Sequence, residues 1–107
     1  MGATGGALTE AVYYILLSLT RARHGYGIMQ YVEQVSGGRV RLAAGTLYGA
    51  LNTLMEKGWI AALPEADASR KKEYVITAEG LTALRLEWKR LTELVENGRE
   101  IIGEEAL

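Results

Sequence analysis

Residues 45–58 form the most informative segment of this chain and read Gly45-Thr46-Leu47-Tyr48-Gly49-Ala50-Leu51-Asn52-Thr53-Leu54-Met55-Glu56-Lys57-Gly58. The apolar residues recur at helical spacing and predict one buried stripe, formed by Leu47, Ala50, Leu51, Leu54 and Met55. The opposite face carries short or flat uncharged groups, namely Thr46, Tyr48, Gly49, Asn52 and Thr53. An ordinary solvated face would carry Glu and Lys, which occur here only at the end of the segment.

A slim polar face of this kind suits a helix that lies in the major groove of DNA. Asn can pair bidentately with adenine in that groove, and Thr and Tyr can reach phosphates or a thymine methyl group. The alternative is a helix buried on both sides within a small bundle. This segment by itself favours groove insertion only slightly over the alternative.

The composition describes one small domain. The chain has 107 residues, of which 49% are hydrophobic, and this is enough for a core that gains further stability when two copies pair. It contains no cysteine, so disulfides and thiolate chemistry are excluded and a reducing compartment is compatible. No apolar run reaches membrane-spanning length, and the glycine-rich residues 1–6 lack the basic start of a secretion signal. We therefore expect a soluble, cytoplasmic protein that does not associate with membranes.

The net charge of −1 conceals an uneven distribution. Residues 21–72 contain eight basic and four acidic side chains and carry a net charge of +4. Residues 78–107 contain four basic and seven acidic side chains and carry a net charge of −3. A basic middle and an acidic end fit a part that contacts DNA joined to a part that faces away from it.

Two helices are predicted before the central segment. Ala7–Arg21 carries an apolar stripe, and its other side is also apolar because of Tyr13, Tyr14 and Leu17, so we expect a second subunit to cover that side. Tyr26–Ser36 forms the second helix, which Gly37-Gly38 ends. Residues 1–6 are expected to be disordered, and residues 39–42 to form a short extended link.

A β-hairpin and a long helix are predicted after the central segment. Residues 59–64 form one strand, 65–69 a polar turn and 70–77 a returning strand with a basic edge at Arg70, Lys71 and Lys72. Thr77 is placed to cap the last helix, which begins at Ala78. Along that helix a heptad seam of about three repeats predicts pairing with a second copy. The predicted dimer interface comprises Leu8, Val12, Leu81, Leu84, Trp88, Leu91 and Val95.

This order of elements predicts a mainly α (α+β) fold: a winged helix-turn-helix with a C-terminal dimerisation helix. The domain boundaries follow as a disordered segment at 1–6, a DNA-binding domain at 7–77 and a dimerisation helix at 78–107. The hairpin is the wing, and its three basic residues would meet the DNA backbone or a narrow minor groove. A solvated strand end is the alternative for this triplet, and its position beside a recognition-type helix favours DNA contact.

Several motifs at matching spacings resemble the PadR family of bacterial transcriptional regulators, over about residues 8–95. They are His24-Gly25-Tyr26-Gly27-Ile28, Ser36-Gly37-Gly38, Gly45-Thr46-Leu47-Tyr48, Ala50-Leu51, Leu54, Gly58-Trp59-Ile60, Arg70-Lys71, Tyr74-Val75-Ile76-Thr77 and Gly80. The single long helix at the end resembles the short subfamily. The resemblance implies a homodimer that binds pseudo-palindromic operators, usually represses, and is released by a small aromatic or lipophilic effector.

Carried over by position, the resemblance adds Tyr26 to the predicted DNA contacts and supports Thr46, Tyr48, Arg70 and Lys71. The full predicted set is Tyr26, Thr46, Tyr48, Gly49, Asn52, Thr53, Arg70, Lys71 and Lys72.

The chain also departs from the family pattern. Ala43-Ala44 stands where Ser-Pro is common, so the central helix lacks a good N-cap. Gly49, Asn52 and Glu73 stand where Pro, His and Tyr are frequent, and the wing lacks its usual glycines. The operator of a relative therefore cannot be transferred to this chain.

The predicted effector site comprises three aromatic residues near the seam, Tyr13, Tyr14 and Trp88, together with the aliphatic Leu17. Short-subfamily relatives often use such residues to stack flat ligands. Simple packing of Trp88 at the dimer interface is the favoured alternative, because tryptophan is enriched at interfaces in general.

Catalysis is not expected. His24 is the only histidine, no cysteine is present, and no carboxylate pair lies in an apolar setting. No metal cluster or phosphate-binding glycine loop occurs in the sequence, so we expect neither a metal nor a cofactor. A rival hypothesis is a winged-helix module that binds proteins rather than DNA, and the scarcity of acidic residues along the central helix and the wing speaks against it.

Overall fold

The structure is a computed structural model that describes residues 6–64 and 71–103. Residues 1–5 of the segment 1–6 that was predicted to be disordered lie outside the described residues, as do the predicted turn at 65–69, Arg70 and residues 104–107. Within the described ranges, helices and strands follow one another as α1 (Glu10–Ser18), β1 (Arg23–His24), α2 (Gly25–Val35), α3 (Ala44–Glu56), β2 (Ile60–Ala62), β3 (Glu73–Ile76) and α4 (Ala78–Ile102).

The predicted fold class is confirmed. Three helices precede an antiparallel hairpin of β2 and β3, and a 25-residue helix closes the described chain. The apolar stripes of the helices and the inner residues of the hairpin meet in one core. Its buried members are Ile15, Leu16, Leu19, Ile28, Val32, Leu47, Leu51, Leu54, Ile60, Tyr74 and Leu84.

The first helix is shorter than the predicted Ala7–Arg21. The Thr9 side chain accepts a hydrogen bond from the Val12 N–H at 3.1 Å and so defines the N-terminus of α1. Leu8 and Leu19 lie outside the helix, yet both pack against the core. The apolar pattern in the sequence therefore continues beyond both ends of the helix.

A third strand was not predicted. Arg23 and His24 pair with Tyr74 and Glu73 of β3, so the strand order in the sheet is β1-β3-β2. A strand of two residues is too short to show a period of its own, and it exists because the hairpin lies beside it. The predicted extended link at 39–42 forms no strand; Ser36 Oγ instead accepts from the Val40 N–H at 3.0 Å.

Two glycines and a threonine join α3, the hairpin and α4. Gly58 adopts a φ of 78°, which turns the chain from α3 into β2. The Thr77 hydroxyl donates to the Gly58 carbonyl at 2.6 Å and accepts from the Gly80 N–H at 3.1 Å, which confirms the predicted cap. A Cβ at Gly80 would overlap the Trp59 carbonyl, so only glycine permits this close packing of α4 on the hairpin.

Candidate nucleic-acid interface

One face of α3 is buried and the other is free. Leu47, Leu51 and Leu54 are buried in the core, whereas Thr46, Gly49, Asn52 and Thr53 are exposed to solvent. We call these four exposed residues the α3 ridge. The alternative of a helix buried on both sides is therefore wrong for the protomer.

The α3 ridge carries no charge and few free donors. Thr53 Oγ1 donates to the Gly49 carbonyl at 3.2 Å, one turn back along the helix. At the start of α3, Ala43 offers no side-chain hydrogen bond to the first turn, as the sequence predicted. The backbone N–H groups of that turn thus remain without a side-chain cap.

Beside the α3 ridge lies a groove of about 510 Å³ in which the starts of two helices meet the wing. Its lining residues are His24, Gly25, Tyr26, Met29, Ala44, Tyr48, Lys71, Lys72 and Tyr74. We call this space the basic groove. It brings together four of the predicted DNA contacts from three parts of the chain: Tyr26 on α2, Tyr48 on α3, and Lys71 and Lys72 at the wing.

The floor of the basic groove is aromatic. Tyr48 is 45% exposed and its ring end lies directly over Gly25, because a Cβ there would overlap the hydroxyl and lie 2.9 Å from Tyr48 Cζ. Tyr74 is buried beneath, and burial raises its pKa, with a smaller contribution from the neighbouring Tyr48. Tyr26 is exposed at the start of α2. Tyr26 and Tyr48 thus present two accessible hydroxyls that can donate and accept hydrogen bonds.

The electrostatics of the basic groove favour an anion. His24 Nδ1 accepts from the Gly27 N–H at 3.2 Å and caps α2. The α2 and α3 N-termini carry partial positive charge, and Lys71 and Lys72 add two full charges at the wing. Lys71 and Lys72 are exposed, and Arg70 lies outside the described residues. This arrangement matches the phosphates of a nucleic-acid backbone.

The second half of α4 projects beyond the core with its apolar side chains uncovered. Trp88 is 61% exposed, Val95 is 59% exposed and Ile101 is 86% exposed. Leu94 and Ile102 are also more than half exposed. Along the described part of the chain these side chains form the main apolar surface of α4, and we call them the α4 overhang.

The heptad prediction needs one correction. Leu84 is only 5% exposed and belongs to the protomer's own core, because the first turns of α4 pack against α1 and β3. Leu81 is half-buried against the same core, as are Leu8 and Val12. The seam that remains free for a partner therefore begins near Trp88 and continues through Leu91 and Val95.

A buried carboxylate on α4 was not predicted from the sequence. Glu87 is 5% exposed; it accepts from Arg90 Nε and Nη2, both at 2.7 Å, and from the Leu8 N–H at 3.1 Å. The hydrogen bonds from Arg90 hold the pKa of Glu87 below its usual range, against the opposing effect of burial. Its spacing could have indicated this burial, because Glu87 lies three residues after Leu84 and four before Leu91 and therefore shares the inner face of α4 with them.

The predicted effector residues are only partly brought together. Tyr13 and Tyr14 meet edge to face with ring centroids 6.4 Å apart and line a cavity of about 370 Å³. The other lining residues are Leu8, Glu10, Glu87, Arg90 and Leu91. Leu17 packs against the core instead, and Trp88 lies on the α4 overhang. In one protomer, therefore, Trp88 does not line the cavity of the two tyrosines.

Within residues 6–64 and 71–103, no group of three or more His, Cys, Asp or Glu side chains is placed to hold a metal ion. In the same ranges, every helix is too short or too polar to cross a bilayer.

A helix-turn-helix core with a wing, a free polar ridge and a basic groove defines a winged-helix protein of the kind that regulates transcription. The sequence model of the PadR-like transcriptional regulators matches residues 14–86. The chain therefore belongs to the PadR-like family of transcriptional regulators, as its motifs predicted. No curated protein matches it in sequence.

Solved structures agree with this assignment. RosR of H. salinarum is 31% identical, with a TM-score of 0.64 over 92% of this chain and 94% of that one. A PadR family regulator from Eggerthella lenta shares 24% identity, with a TM-score of 0.70 over 85% of this chain and 80% of that one. A transcriptional regulator from Clostridium thermocellum shares 18% identity, with a TM-score of 0.72 over 86% and 88%. The last two comparisons concern the fold alone.

Proposed function

We propose that this protein is a sequence-specific, DNA-binding transcriptional regulator that acts as a homodimer and represses its target genes. The observation that carries the proposal is the position of the basic groove directly beside the uncharged α3 ridge. The ridge would enter the major groove, and the basic groove would hold the adjacent phosphates.

The division of contacts follows from the chemistry of each surface. Thr46, Gly49, Asn52 and Thr53 present small groups to base edges, and Tyr26 and Tyr48 present hydroxyls to the backbone. The wing residues Lys71 and Lys72, with Arg70 from the sequence, would neutralise phosphates. Residues 7–77 would thus bind DNA and residues 78–107 would pair two copies.

Pairing is supported by the α4 overhang. An isolated protomer would expose Trp88, Leu94, Val95, Ile101 and Ile102 to water. Exposed apolar surface of this extent marks an interface, and a second copy with the same helix would bury it by symmetry. A two-fold dimer would present two α3 ridges to half-sites about one helical turn apart, which implies a pseudo-palindromic operator.

Release by a small aromatic or lipophilic effector is the finer part of the proposal, and it comes from the family resemblance. The cavity beside Tyr13 and Tyr14 supports it, because its aromatic wall lies against α4 near the proposed pairing surface. Trp88 would reach such a ligand only from the dimer interface. Packing of Trp88 against its copy remains the competing assignment.

The test is a gel-shift titration with duplex DNA from the region upstream of the protein's own gene, together with the molar mass in solution. We expect a dimer that binds the specific duplex more tightly than a scrambled one. The logarithm of its affinity should fall linearly with the logarithm of salt concentration, with a slope of about −0.9 per phosphate neutralised. A winged-helix module that binds only proteins would show no DNA affinity even at low salt, and that result would refute the proposal.

A further inference from the structure

The exposed face of α3 offers DNA a restricted set of chemical groups. Its exposed residues are Ala44, Gly45, Thr46, Tyr48, Gly49, Asn52, Thr53 and Glu56. The helix contains neither Arg nor Lys, which form the commonest specific contact with guanine O6 and N7. Of the side chains on the α3 ridge, only the Asn52 amide carries both a donor and an acceptor in fixed geometry.

The two basic residues that flank α3 are engaged away from the ridge. Arg41 Nε lies 3.5 Å from Glu33 Oε2 on α2. Lys57 Nζ lies 4.8 Å from the centroid of the Trp59 ring, on the side where β2 begins. Neither one places a guanine-reading group on the α3 ridge.

Packing within the protomer does not require glycine at position 49. A Cβ there would find no atom within 4 Å, as at Gly45 in the first turn of the same helix, whereas at Gly25 and Gly80 a side chain would overlap neighbouring atoms. Glycine in a helix interior costs about 1 kcal/mol relative to alanine. The missing side chain therefore leaves a gap on the ridge that only a molecule outside the protomer can use.

Gly49 and Asn52 are neighbours on the α3 ridge. They are three residues apart, about 4.5 Å along the helix axis, which is close to one base-pair step of about 3.4 Å. In the major groove, the apolar group that could enter such a gap is the C5 methyl of thymine. Asn pairs with the N6 and N7 atoms of adenine in the same groove.

We propose that α3 selects adjacent A·T base pairs, with Asn52 pairing to adenine and the gap at Gly49 receiving the methyl group of a neighbouring thymine. This inference rests on the proposed function, because it names the class of DNA that the same site recognises. In this proposal Gly49 leaves room for the thymine methyl because it has no side chain. Asn52 recognises the base edge of adenine through its amide.

The experiment selects binding sites for the full-length protein from a random duplex library and then measures affinities on the selected duplex. The base pairs that α3 contacts are identified as those at which Asn52→Ala loses preference. We expect adjacent A·T pairs at these positions and a loss of about 5- to 150-fold for Asn52→Ala. Asn97→Ala, which removes an exposed amide from α4, is the matched control and should leave the preference unchanged.

A second measurement replaces the selected thymine by uracil, which removes the C5 methyl and nothing else. The wild type should lose about fourfold in affinity. Gly49→Ala should bind the thymine duplex more weakly than the wild type does. On the uracil duplex the two proteins should bind with equal affinity. Its thermal stability should be equal or higher, because alanine favours the helix.

Three results would overturn the inference. The first is the selection of guanine at the positions that α3 contacts. This result would overturn the inference even if the preference for guanine were lost in Arg41→Ala. Equal weakening of every duplex by Gly49→Ala would do so as well, because it would place a phosphate rather than a methyl group at the gap. Both of these results leave the proposed function intact. The third result, a wild-type protein that binds no duplex at low salt, would overturn the inference and the proposed function together.

Discussion

The Tyr48 ring of α3 lies over the backbone of Gly25, the first residue of α2, so that no side chain fits between them. This contact joins the starts of the two helices on one wall of the basic groove. It keeps a hydroxyl-bearing ring at the surface while the core-facing residues of α3 stay packed. The position of Tyr48 is thus set by a glycine twenty-three positions earlier in the chain.

Gly25→Ala should therefore impair DNA binding without unfolding the protein. The new methyl group would displace the free end of Tyr48, which is a flexible side chain and partly exposed. We expect weaker binding to all duplexes in a gel-shift titration and a thermal midpoint close to that of the wild type. In a Tyr48→Ala background the same change should add little further loss, and full additivity would contradict the contact.

The wing lysines should act without regard to base sequence. Lys71→Ala removes one phosphate contact, so it should weaken specific and scrambled duplexes by the same factor. The slope of log affinity against log salt should become shallower by about one. Lys89→Ala, an exposed lysine on α4, provides the control and should leave the slope unchanged. An unchanged slope for Lys71→Ala would exclude this residue from the DNA contacts.

The α4 overhang should hold the dimer together. Val95→Glu changes a side chain that is 59% exposed in the protomer, so the core is untouched while pairing is blocked by charge. We expect monomers by light scattering and loss of operator binding in the same variant. Leu86→Glu changes another exposed apolar residue about half a turn around the helix, and it should remain dimeric. Monomers from Leu86→Glu alone would place the interface on the other face.

Glu87 should stabilise the fold at neutral pH and cease to do so in acid. Its pKa is lowered in the folded protein, so its contribution is present above the unfolded pKa of about 4.3 and is lost as the pH falls through the lower folded value. Glu87→Gln should reduce the free energy of unfolding at pH 7 by about 1–3 kcal/mol, because hydrogen bonds to a charged group are weakened.

The measurement is urea unfolding of both proteins between pH 3 and pH 7. The difference between them should shrink as the solution becomes more acidic. Glu96→Gln is the control, since this exposed residue lies 3.4 Å from Arg99 and should change stability by less than about 0.5 kcal/mol. A difference in unfolding free energy that stays constant with pH would show that the pKa of Glu87 is not lowered in the folded protein.

Trp88 offers a direct readout of the effector hypothesis. In a Trp59→Phe background, which removes the second tryptophan of the chain, titration of the dimer with planar aromatic compounds should quench the fluorescence of Trp88 if a ligand reaches the interface. Tyr13→Ala should weaken that quenching, because Tyr13 lines the cavity beside α4. A constant signal across a broad panel of compounds would favour simple packing of Trp88.

Local patterns in the sequence were enough for the order of the helices, the hairpin, the cap at Thr77 and the uncapped start of α3. The apolar and polar faces of α3 were also readable from side-chain type and helical period, but the segment by itself favoured a free polar face only slightly over burial on both sides. The same holds for the family, since its motifs occur at matching spacings along residues 14–86.

Only the tertiary structure could decide which distant residues meet. Three contacts join residues far apart in the chain: the pairing of Arg23 with Tyr74, the hydrogen bond from the Leu8 N–H to Glu87, and the contact of Tyr48 with Gly25. Periodicity reports which side of an element is apolar, but it contains no distance between elements. The heptad pattern failed at Leu84 for this reason: it cannot distinguish a stripe that packs on its own core from one that awaits a second copy.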